Sequence, residues 1–235
     1  MSAIDVTRDG SVFVLTMNAG ENRFNRGFVD ALNGALDEVE RSSGPAGLVT
    51  TGGTEKFYSN GLDLAWLGSD EGRAAGAGFV QDVIGVFARL LTFPVPSVAA
   101  INGHAFAAGG MLALAHDFRV MRADRGFFCL PEVDINVALA PGMTALIQAK
   151  LSAQVVIETL LTGVRLGGPQ CVERGIVDAA AAGPEVLPQA IERAAALATK
   201  DRSTYAALKR GLFSGILPIL RGIARGDERR VEAAS

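Results

Sequence analysis

The sequence is poor in the residues on which several common kinds of functional site depend. Its 235 residues include two histidines and two cysteines. His104 and His116 are too few for a histidine-based metal site, and Cys129 and Cys171 stand apart among apolar neighbours, which argues against a disulfide framework or a metal site. There is no G-x-S-x-G elbow, P-loop, C-x-x-C or H-E-x-x-H motif, and the glycines around Gly103 lack the G-x-G-x-x-G spacing of dinucleotide sites. We therefore expect neither a metal ion nor a separate cofactor.

An excess of positive charge and long apolar runs are also lacking. The net charge of −3 gives no basic footprint for nucleic acid or an anionic membrane. No apolar run is long enough to span a bilayer. Residues 1–6 lack the layout of a signal peptide, and the last residues are not a peroxisomal address of the Ser-Lys-Leu type. With 49% apolar and 20% charged residues, the composition is that of a globular protein, which we expect in the cytoplasm.

Apolar periodicity predicts an α/β region followed by a helical C-terminal third. Short β-type or continuous apolar runs predict a hairpin and then further strands, at 4–8, 12–17, 46–51, 97–101, 118–121 and 127–129. Helical spacing predicts helices at 28–39, 79–91, 141–151, 153–161, 169–174, 188–199 and 203–212. The Gly- and Ala-rich segment 68–78 is typical of a mobile segment that could cover a site.

The stretch 94–117 carries the first candidate site. Its buried strand is broken at Asn102 and Gly103, and residues 107–110, almost without side chains, lead into a predicted helix at 111–115. A strand that turns into a helix in this way leaves free backbone N–H groups, which suit a negative charge at the positive end of the helix dipole. The alternative is a tight strand–helix packing without a ligand.

A second turn and one carboxylate complete the candidate site. Residues 57–64 are predicted to form a turn in which Asp63 caps a helix and Leu62 lies beside the free N–H groups of the helix start. An ordinary capped helix would have the same pattern. Glu132 follows a strand-like run among apolar neighbours, where its pKa should be raised. Two N–H donors and such a base suit proton abstraction beside a thioester carbonyl. Asp134 is a local rival that would share a face with Glu132 in an extended run, but we favour a capping role.

Over essentially its whole length the chain resembles the enoyl-CoA hydratase/isomerase (crotonase) superfamily. Residues 57–64 (FYSNGLDL) resemble the family's first oxyanion loop, and residues 101–110 (INGHAFAAGG) resemble the second. The run 161–178 resembles the "TG … A-x-x-x-G-L-V" segment. The resemblance implies backbone N–H donors at Leu62 and Ala108. It also implies an α/β, ClpP-like fold of repeated β-β-α units, with a spiral core at 1–180 and a helical trimerisation region at 181–235, in a homotrimer or dimer of trimers.

The departures from the family pattern indicate the reaction. Hydratases use two glutamates, and the position of the first holds Met111, whereas Glu132 matches the second. Retaining one carboxylate is what a Δ3,Δ2-enoyl-CoA isomerase of fatty acid metabolism would need, and the chain looks most like the plant-type peroxisomal isomerases. A 2-enoyl-CoA hydratase or other crotonase-type enzyme with a second acid from elsewhere stays open, as does a non-catalytic acyl-CoA-binding relative.

The resemblance further implies an acyl-CoA thioester as the substrate, with coenzyme A as part of that substrate. Residues 20–25 resemble the CoA-binding loop of the isomerases. The predicted substrate-binding residues are Asn22, Arg23, Phe24, Asn60, Gly61, Asp63, Trp66, Gly109 and Met111. Phe79, Phe87 and Phe106 are candidates for the acyl pocket or for plain core, and Lys209 and Arg210 are candidates for CoA phosphates across a subunit boundary or for a solvated helix face.

Overall fold

A computed structural model of the chain describes residues 2–222, in which strands and helices alternate over most of the length. The strands are β1 (Ile4–Asp9), β2 (Val12–Met17), β3 (Gly47–Gly52), β4 (Phe57–Ser59), β5 (Ser97–Ile101), β6 (His104–Phe106), β7 (Phe118–Arg122), β8 (Phe128–Cys129) and β9 (Ala179–Ala181). The helices are α1 (Arg26–Arg41), α2 (Leu64–Leu67), α3 (Asp70–Leu91), α4 (Ala108–Ala115), α5 (Pro141–Lys150), α6 (Ala153–Thr162), α7 (Gly168–Glu173), α8 (Val186–Leu197), α9 (Arg202–Leu212) and α10 (Leu217–Leu220).

The described strands form two sheets. The larger sheet has the order β1-β2-β3-β5-β7-β9, in which β1 and β2 are antiparallel and the other neighbours are parallel. The smaller sheet is parallel, with the order β4-β6-β8. Three successive segments each supply one strand to the large sheet, the next strand to the small sheet and then a helix. The expected fold of repeated β-β-α units is therefore confirmed.

Strand β5 is buried on both faces, as its small apolar residues predict. Val98 and Ala100 pack with α8 residues Val186, Ala190 and Ala194. The alternate residues of the strand belong to the larger core, which also takes in α1, α3 and α4. The chain leaves this buried strand through a short turn and enters β6 of the small sheet.

Most of the predicted elements are confirmed with bounds that differ by one or two residues, including the hairpin, α1, β3, β5, β7, β8 and the C-terminal helices. Strand β9 was missed because it consists of three alanines, which have low β propensity. It forms only by pairing with β7, a contact across more than fifty residues that local sequence does not signal.

The segment 68–78, for which a mobile cover is predicted, is helical from Asp70 onward, and its mobility stays a prediction. Ser69 begins α3 as its N-cap, where its side chain accepts a hydrogen bond from the Gly72 N–H. Gly76, with φ +54°, breaks the helix at a kink.

Among the described residues, no single helix is both long and apolar enough to cross a membrane. The two halves of α3 reach that size only together, and they are bent by 73° relative to each other.

The helices after residue 181 pack onto the same core. Besides the contacts of α8 with β5, α10 lies against α3 and α5, and the Gln81 side chain donates to the Leu220 carbonyl at 2.6 Å. The trimerisation role predicted for 181–235 stays a prediction, and residues 223–235 lie outside the described residues.

At Gly109, α4 lies in close contact with strand β4 of the small sheet. A Cβ added there would overlap the Ser59 carbonyl oxygen, so α4 and β4 would have to separate. We expect Gly109→Ala to lower the free energy of unfolding by about 1–3 kcal/mol. Gly34 on α1 has no atoms within 4 Å of such a Cβ, so the matched change Gly34→Ala should raise it by about 0.5–1 kcal/mol. Urea unfolding measures both, and a Gly109 variant as stable as the wild type would contradict this packing.

Candidate active site

A cavity of about 510 Å³ lies where β4 and β6 end and α4 begins. Its surface is mostly apolar, which is typical of a site for a small organic ligand. The lining residues are Arg23, Asn60, Leu62, Leu64, Val80, Phe106, Ala107, Ala108, Met111, Pro131, Glu132, Ile135, Val137, Ala138, Leu139, Ala140 and Met143. Among these described residues, Arg23 and Glu132 carry the charged side chains.

The first wall of the cavity is the segment after β4. Phe24 bridges this segment on one side: its N–H donates to the Gly61 carbonyl at 2.8 Å, and its carbonyl accepts from the Asp63 N–H at 2.9 Å. Because successive N–H groups of an extended segment alternate in direction, the Leu62 N–H points away from Phe24. Gly61, at φ +79°, lies against the start of α4, where an added Cβ would be 3.1 Å from the Ala108 nitrogen.

The second wall is the start of α4. Ala107 precedes the helix with φ +51° and ψ −126°, a backbone conformation that alanine rarely adopts. This turn places Ala108 as the first helical residue, three residues earlier than the sequence predicts. The N–H groups of the first helical turn have no partners within the helix. Leu62 and Ala108 therefore meet at one cavity, each on a backbone segment with an N–H group free of its own secondary structure.

Glu132 supplies a carboxyl group to the same cavity. It follows β8 in a turn whose N–H groups at Asp134 and Ile135 donate to the Pro131 carbonyl. The residue is 7% exposed, and its Oε2 atom has no hydrogen-bond partner within residues 2–222. Burial raises the pKa of this carboxyl above its ordinary value. A buried carboxyl with one free oxygen and a raised pKa is suited to taking up and returning a proton.

Arg23 lies at the edge of the cavity and braces the segment of Leu62. Its Nε donates to the Glu21 carboxylate at 2.7 Å, and its Nη1 lies 3.4 Å from the carbonyl oxygens of Asn60 and Leu62. The Asn60 amide also donates to Glu21 at 3.1 Å. Hydrogen bonds from Asn60 and Arg23 lower the pKa of Glu21. The mouth of the cavity is thus held by a charged and hydrogen-bonded rim.

The structure brings together six of the twelve predicted site residues in the cavity lining: Arg23, Asn60, Leu62, Ala108, Met111 and Glu132. Gly61 and Gly109 lie directly behind this lining, where the absence of a side chain permits the close approach of the two walls. Of the further acyl-pocket candidates, Phe106 lines the cavity, whereas Phe79 and Phe87 are fully buried in the core.

The other four predicted substrate-binding residues have structural partners and do not line the cavity. The Asn22 side chain donates to the Tyr58 carbonyl at 2.9 Å. Phe24 packs edge-on against Phe28 and Phe87. Asp63 caps α2, as predicted, by accepting from the Trp66 N–H at 3.0 Å. The Trp66 ring packs on the Phe79 ring, with the two ring centroids 4.6 Å apart.

The structure places three other residues named in the sequence analysis away from the cavity. His116 ends α4 as a neutral side chain, because burial lowers its pKa to about 4. Lys209 is buried and pairs with Asp117 at 2.7 Å, so it faces the interior and not a CoA phosphate. Asp134 lies in a turn and not in an extended run, is exposed, and does not line the cavity with Glu132.

Sequence reasoning missed the apolar wall formed by the segment after Glu132. Ile135, Val137 and Leu139 line the cavity from this segment, and Met143 follows on α5. Their alternation with smaller or polar residues was a usable signal, because a loop rarely carries apolar side chains at every second position without a surface to cover. Val80, on α3, gave no such signal within its helical pattern.

The cysteines are not arranged for metal binding or redox chemistry. Cys129 and Cys171 are buried and unpaired, and burial raises the pKa of their thiols to about 11 and about 12. Both are therefore protonated at neutral pH. Within residues 2–222, no group of three or more His, Cys, Asp or Glu side chains is placed to hold a metal ion.

The spiral of β-β-α units, with its cavity between two backbone turns and a buried glutamate, is the crotonase fold. The family described as enoyl-CoA hydratase/isomerase matches residues 7–217, and the chain belongs to it. The peroxisomal enoyl-CoA delta isomerase 2 of Arabidopsis thaliana is 35% identical over 234 residues, which cover 95% of each chain. Carnitinyl-CoA dehydratase of Escherichia coli K12 is 31% identical over 214 residues, which cover 88% of this chain and 78% of the dehydratase chain.

A solved structure agrees over nearly the full chain. A probable enoyl-CoA hydratase of Mycobacterium tuberculosis H37Rv superposes with a TM-score of 0.86 at 27% identity, covering 99% of this chain and 97% of that one. The expected family resemblance and fold class are thus confirmed.

The burial of Glu132 leads to a prediction about stability. A carboxyl whose pKa is raised on folding destabilises the native state once the pH exceeds its unfolded pKa, because its charged form is disfavoured there. Glu132→Gln should therefore raise the free energy of unfolding above that of the wild type at pH 8. The difference should shrink as the pH falls and the wild-type carboxyl becomes protonated. Urea unfolding at several pH values measures this, and a gain that does not depend on pH would contradict it.

Proposed function

We propose that this protein is a Δ3,Δ2-enoyl-CoA isomerase, which shifts the double bond of a 3-enoyl-CoA to the 2-position. The observation that carries the proposal is the set of charged groups in the cavity. Among the described lining residues, Glu132 is the one carboxylate, and the thioether of Met111 stands where a hydratase would need a second acid. A thioether cannot activate water, whereas moving a proton between two carbons needs one acid–base group. The similarity to a plant enoyl-CoA delta isomerase supports the same reaction.

In the proposed mechanism, the thioester carbonyl of the substrate accepts hydrogen bonds from the N–H groups of Leu62 and Ala108. These bonds strengthen as negative charge develops on the oxygen, and each is worth about 3 kcal/mol at the transition state. Glu132 removes a proton from C2, which leaves a dienolate, and the same carboxyl returns the proton at C4. The raised pKa of Glu132 suits both steps, because the group must be charged before the first and neutral before the second.

A hydratase or dehydratase is the second candidate. Carnitinyl-CoA dehydratase and the mycobacterial probable hydratase are also similar to this chain. Such a reaction would need a second group to hold water. The apolar lining beside Met111 does not favour it.

We expect Glu132→Gln to abolish turnover while acyl-CoA binding is retained, since the proposed oxyanion donors are backbone groups. The test incubates the enzyme with a 3-enoyl-CoA and, separately, with a 2-enoyl-CoA, and follows the absorbance of the conjugated thioester. The wild type should give a rise with the 3-enoyl substrate and no loss with the 2-enoyl substrate. Asp134→Asn is the matched control, because it removes the neighbouring exposed carboxylate and should leave the rate unchanged.

Three results would count against this assignment. Loss of the 2-enoyl substrate would indicate hydration. A Glu132 variant without affinity for acyl-CoA in a binding titration would mean that the carboxyl serves binding. An active Glu132 variant together with an inactive Asp134 variant would move the base to Asp134.

We also propose that the chain assembles into a homotrimer or a dimer of trimers. Large apolar side chains are exposed on α6 and α9, at Ile157, Leu161, Leu208 and Leu212. Exposed apolar surface of this kind is typical of subunit interfaces. Light scattering should give three or six times the 24.5 kDa chain mass, and a monomer at micromolar concentration would contradict this.

A further inference from the structure

A buried chain of hydrogen bonds joins the large sheet, the small sheet and the end of α4. Thr50, on β3, lies at its centre: its Oγ1 is 2.8 Å from the Tyr58 hydroxyl and 3.0 Å from His116 Nε2. The second ring nitrogen of His116, Nδ1, lies 2.9 Å from the Leu112 carbonyl oxygen. The side chains of Tyr58, Thr50 and His116 are completely buried.

The direction of every bond in this chain follows from elementary chemistry. Because a carbonyl oxygen can only accept, His116 must carry its proton on Nδ1 and donate to Leu112. The ring is neutral, since burial lowers its pKa to about 4, so Nε2 has a free lone pair and accepts from Thr50. The Thr50 oxygen then accepts from the Tyr58 hydroxyl. Each donor has one acceptor, and the network permits one arrangement.

The charged groups near His116 bind its backbone neighbours and leave its ring neutral. Asp117 is paired with Lys209 at 2.7 Å. The His116 carbonyl accepts from Lys150 at 2.8 Å and from Arg119 at 3.1 Å. These contacts hold the last turn of α4 from outside, whereas the imidazole holds it from within the core.

The network connects the two backbone segments that form the walls of the cavity. Tyr58 is on β4, four residues before Leu62, and Leu112 is on α4, four residues after Ala108. Thr50 is a fixed point between them, because β3 is paired with β2 on one side and with β5 on the other. Near the cavity the two walls touch through Gly61 and the start of α4. The hydrogen-bond chain provides a second attachment, deeper in the core.

We propose that Tyr58, Thr50 and His116 are positioning residues that fix the separation of the Leu62 and Ala108 N–H groups. The inference rests on the proposed role of these two N–H groups as donors to the substrate carbonyl. An oxyanion site requires its donors to be placed before the reaction, and a misplacement of about 1 Å can lower a rate by two orders of magnitude. None of the three side chains touches the cavity, so each acts through the backbone that it holds.

Thr50→Val is the decisive variant, because it removes the hydroxyl with little change in volume. The change leaves the Tyr58 hydroxyl without an acceptor and His116 Nε2 without a donor, both in the core. We expect kcat for a 3-enoyl-CoA to fall about tenfold with KM within about twofold, the pattern of a lost transition-state interaction. Thr50→Ser keeps the hydroxyl and should restore most of the rate. Tyr58→Phe, which leaves the Thr50–His116 bond intact, should have a smaller effect.

Thr159→Val is the matched control for stability. Thr159 is also a completely buried threonine, but its hydroxyl donates to the Val155 carbonyl within α6, at 2.7 Å. The Thr159→Val variant should have a lower free energy of unfolding than the wild type but an unchanged kcat. If Thr50→Val lowers the unfolding temperature as Thr159→Val does, and kcat stays at the wild-type value, the network is only structural and the proposal is wrong.

A second measurement separates this inference from the proposed reaction. The carbonyl stretch of a saturated acyl-CoA labelled with ¹³C at the thioester should move to lower frequency on binding, because two N–H groups polarise it. Thr50→Val should reduce this shift, and Thr50→Ser and Thr159→Val should retain it. The shift can be measured without turnover. A wild type with no shift would refute the donor assignment, whereas a full shift in Thr50→Val would refute the network alone.

Discussion

The candidate site depends on how closely the start of α4 approaches the segment that follows β4. Gly61 and Gly109 permit this approach, because a side chain at either position would meet the backbone of the facing segment. Two backbone turns that touch in this way can direct their N–H groups into one small volume. The large sheet matters to the site mainly because β3 and β5 lead into β4 and β6, from which these turns emerge.

The two ends of α4 are in different electrostatic environments. At its C-terminal end, the His116 carbonyl accepts hydrogen bonds from Lys150 and Arg119, and cations are favourable at this negative end of the helix dipole. Burial, together with the nearby charge of Arg119, lowers the pKa of Lys150 to about 7. At its N-terminal end, α4 opens into the cavity without a side-chain cap. The free N–H groups are thus concentrated at the end where a ligand can reach them.

The sequence contained strong signals for those features that depend on local chemistry. The hairpin, the amphipathic α1 and the Asp63 cap could be predicted because periodicity and capping act over a few residues. The pairing of Lys209 with Asp117 could not, because it joins positions 92 residues apart and gives no local pattern. The positive φ of Ala107 was equally hidden, since alanine is not a residue that signals a left-handed conformation.

The candidate donors illustrate a further limit of sequence reasoning. The N–H groups of Leu62 and Ala108 belong to the backbone, so the side chains at these positions say little about their role. Residue types alone indicated two free helix starts, and resemblance to a family was needed to select the two positions. Glu132 was different, because a carboxylate directly after an apolar strand is conspicuous, and its burial in the structure agrees with that expectation.

The isolation of Glu132 is the feature that best distinguishes proton transfer from hydration. A second carboxylate near Glu132 would provide the acceptors that hold a water molecule, but it would also couple the two titrations and spread the charge. With Met111 beside the proposed oxyanion donors, the cavity offers water few hydrogen-bond partners. Its apolar lining suits an acyl chain better than water. The proposed reaction requires this single carboxyl to keep the proton that it removes until the dienolate accepts it. The same proton is then at hand for the far end of the dienolate, which is what the transposition of a double bond requires.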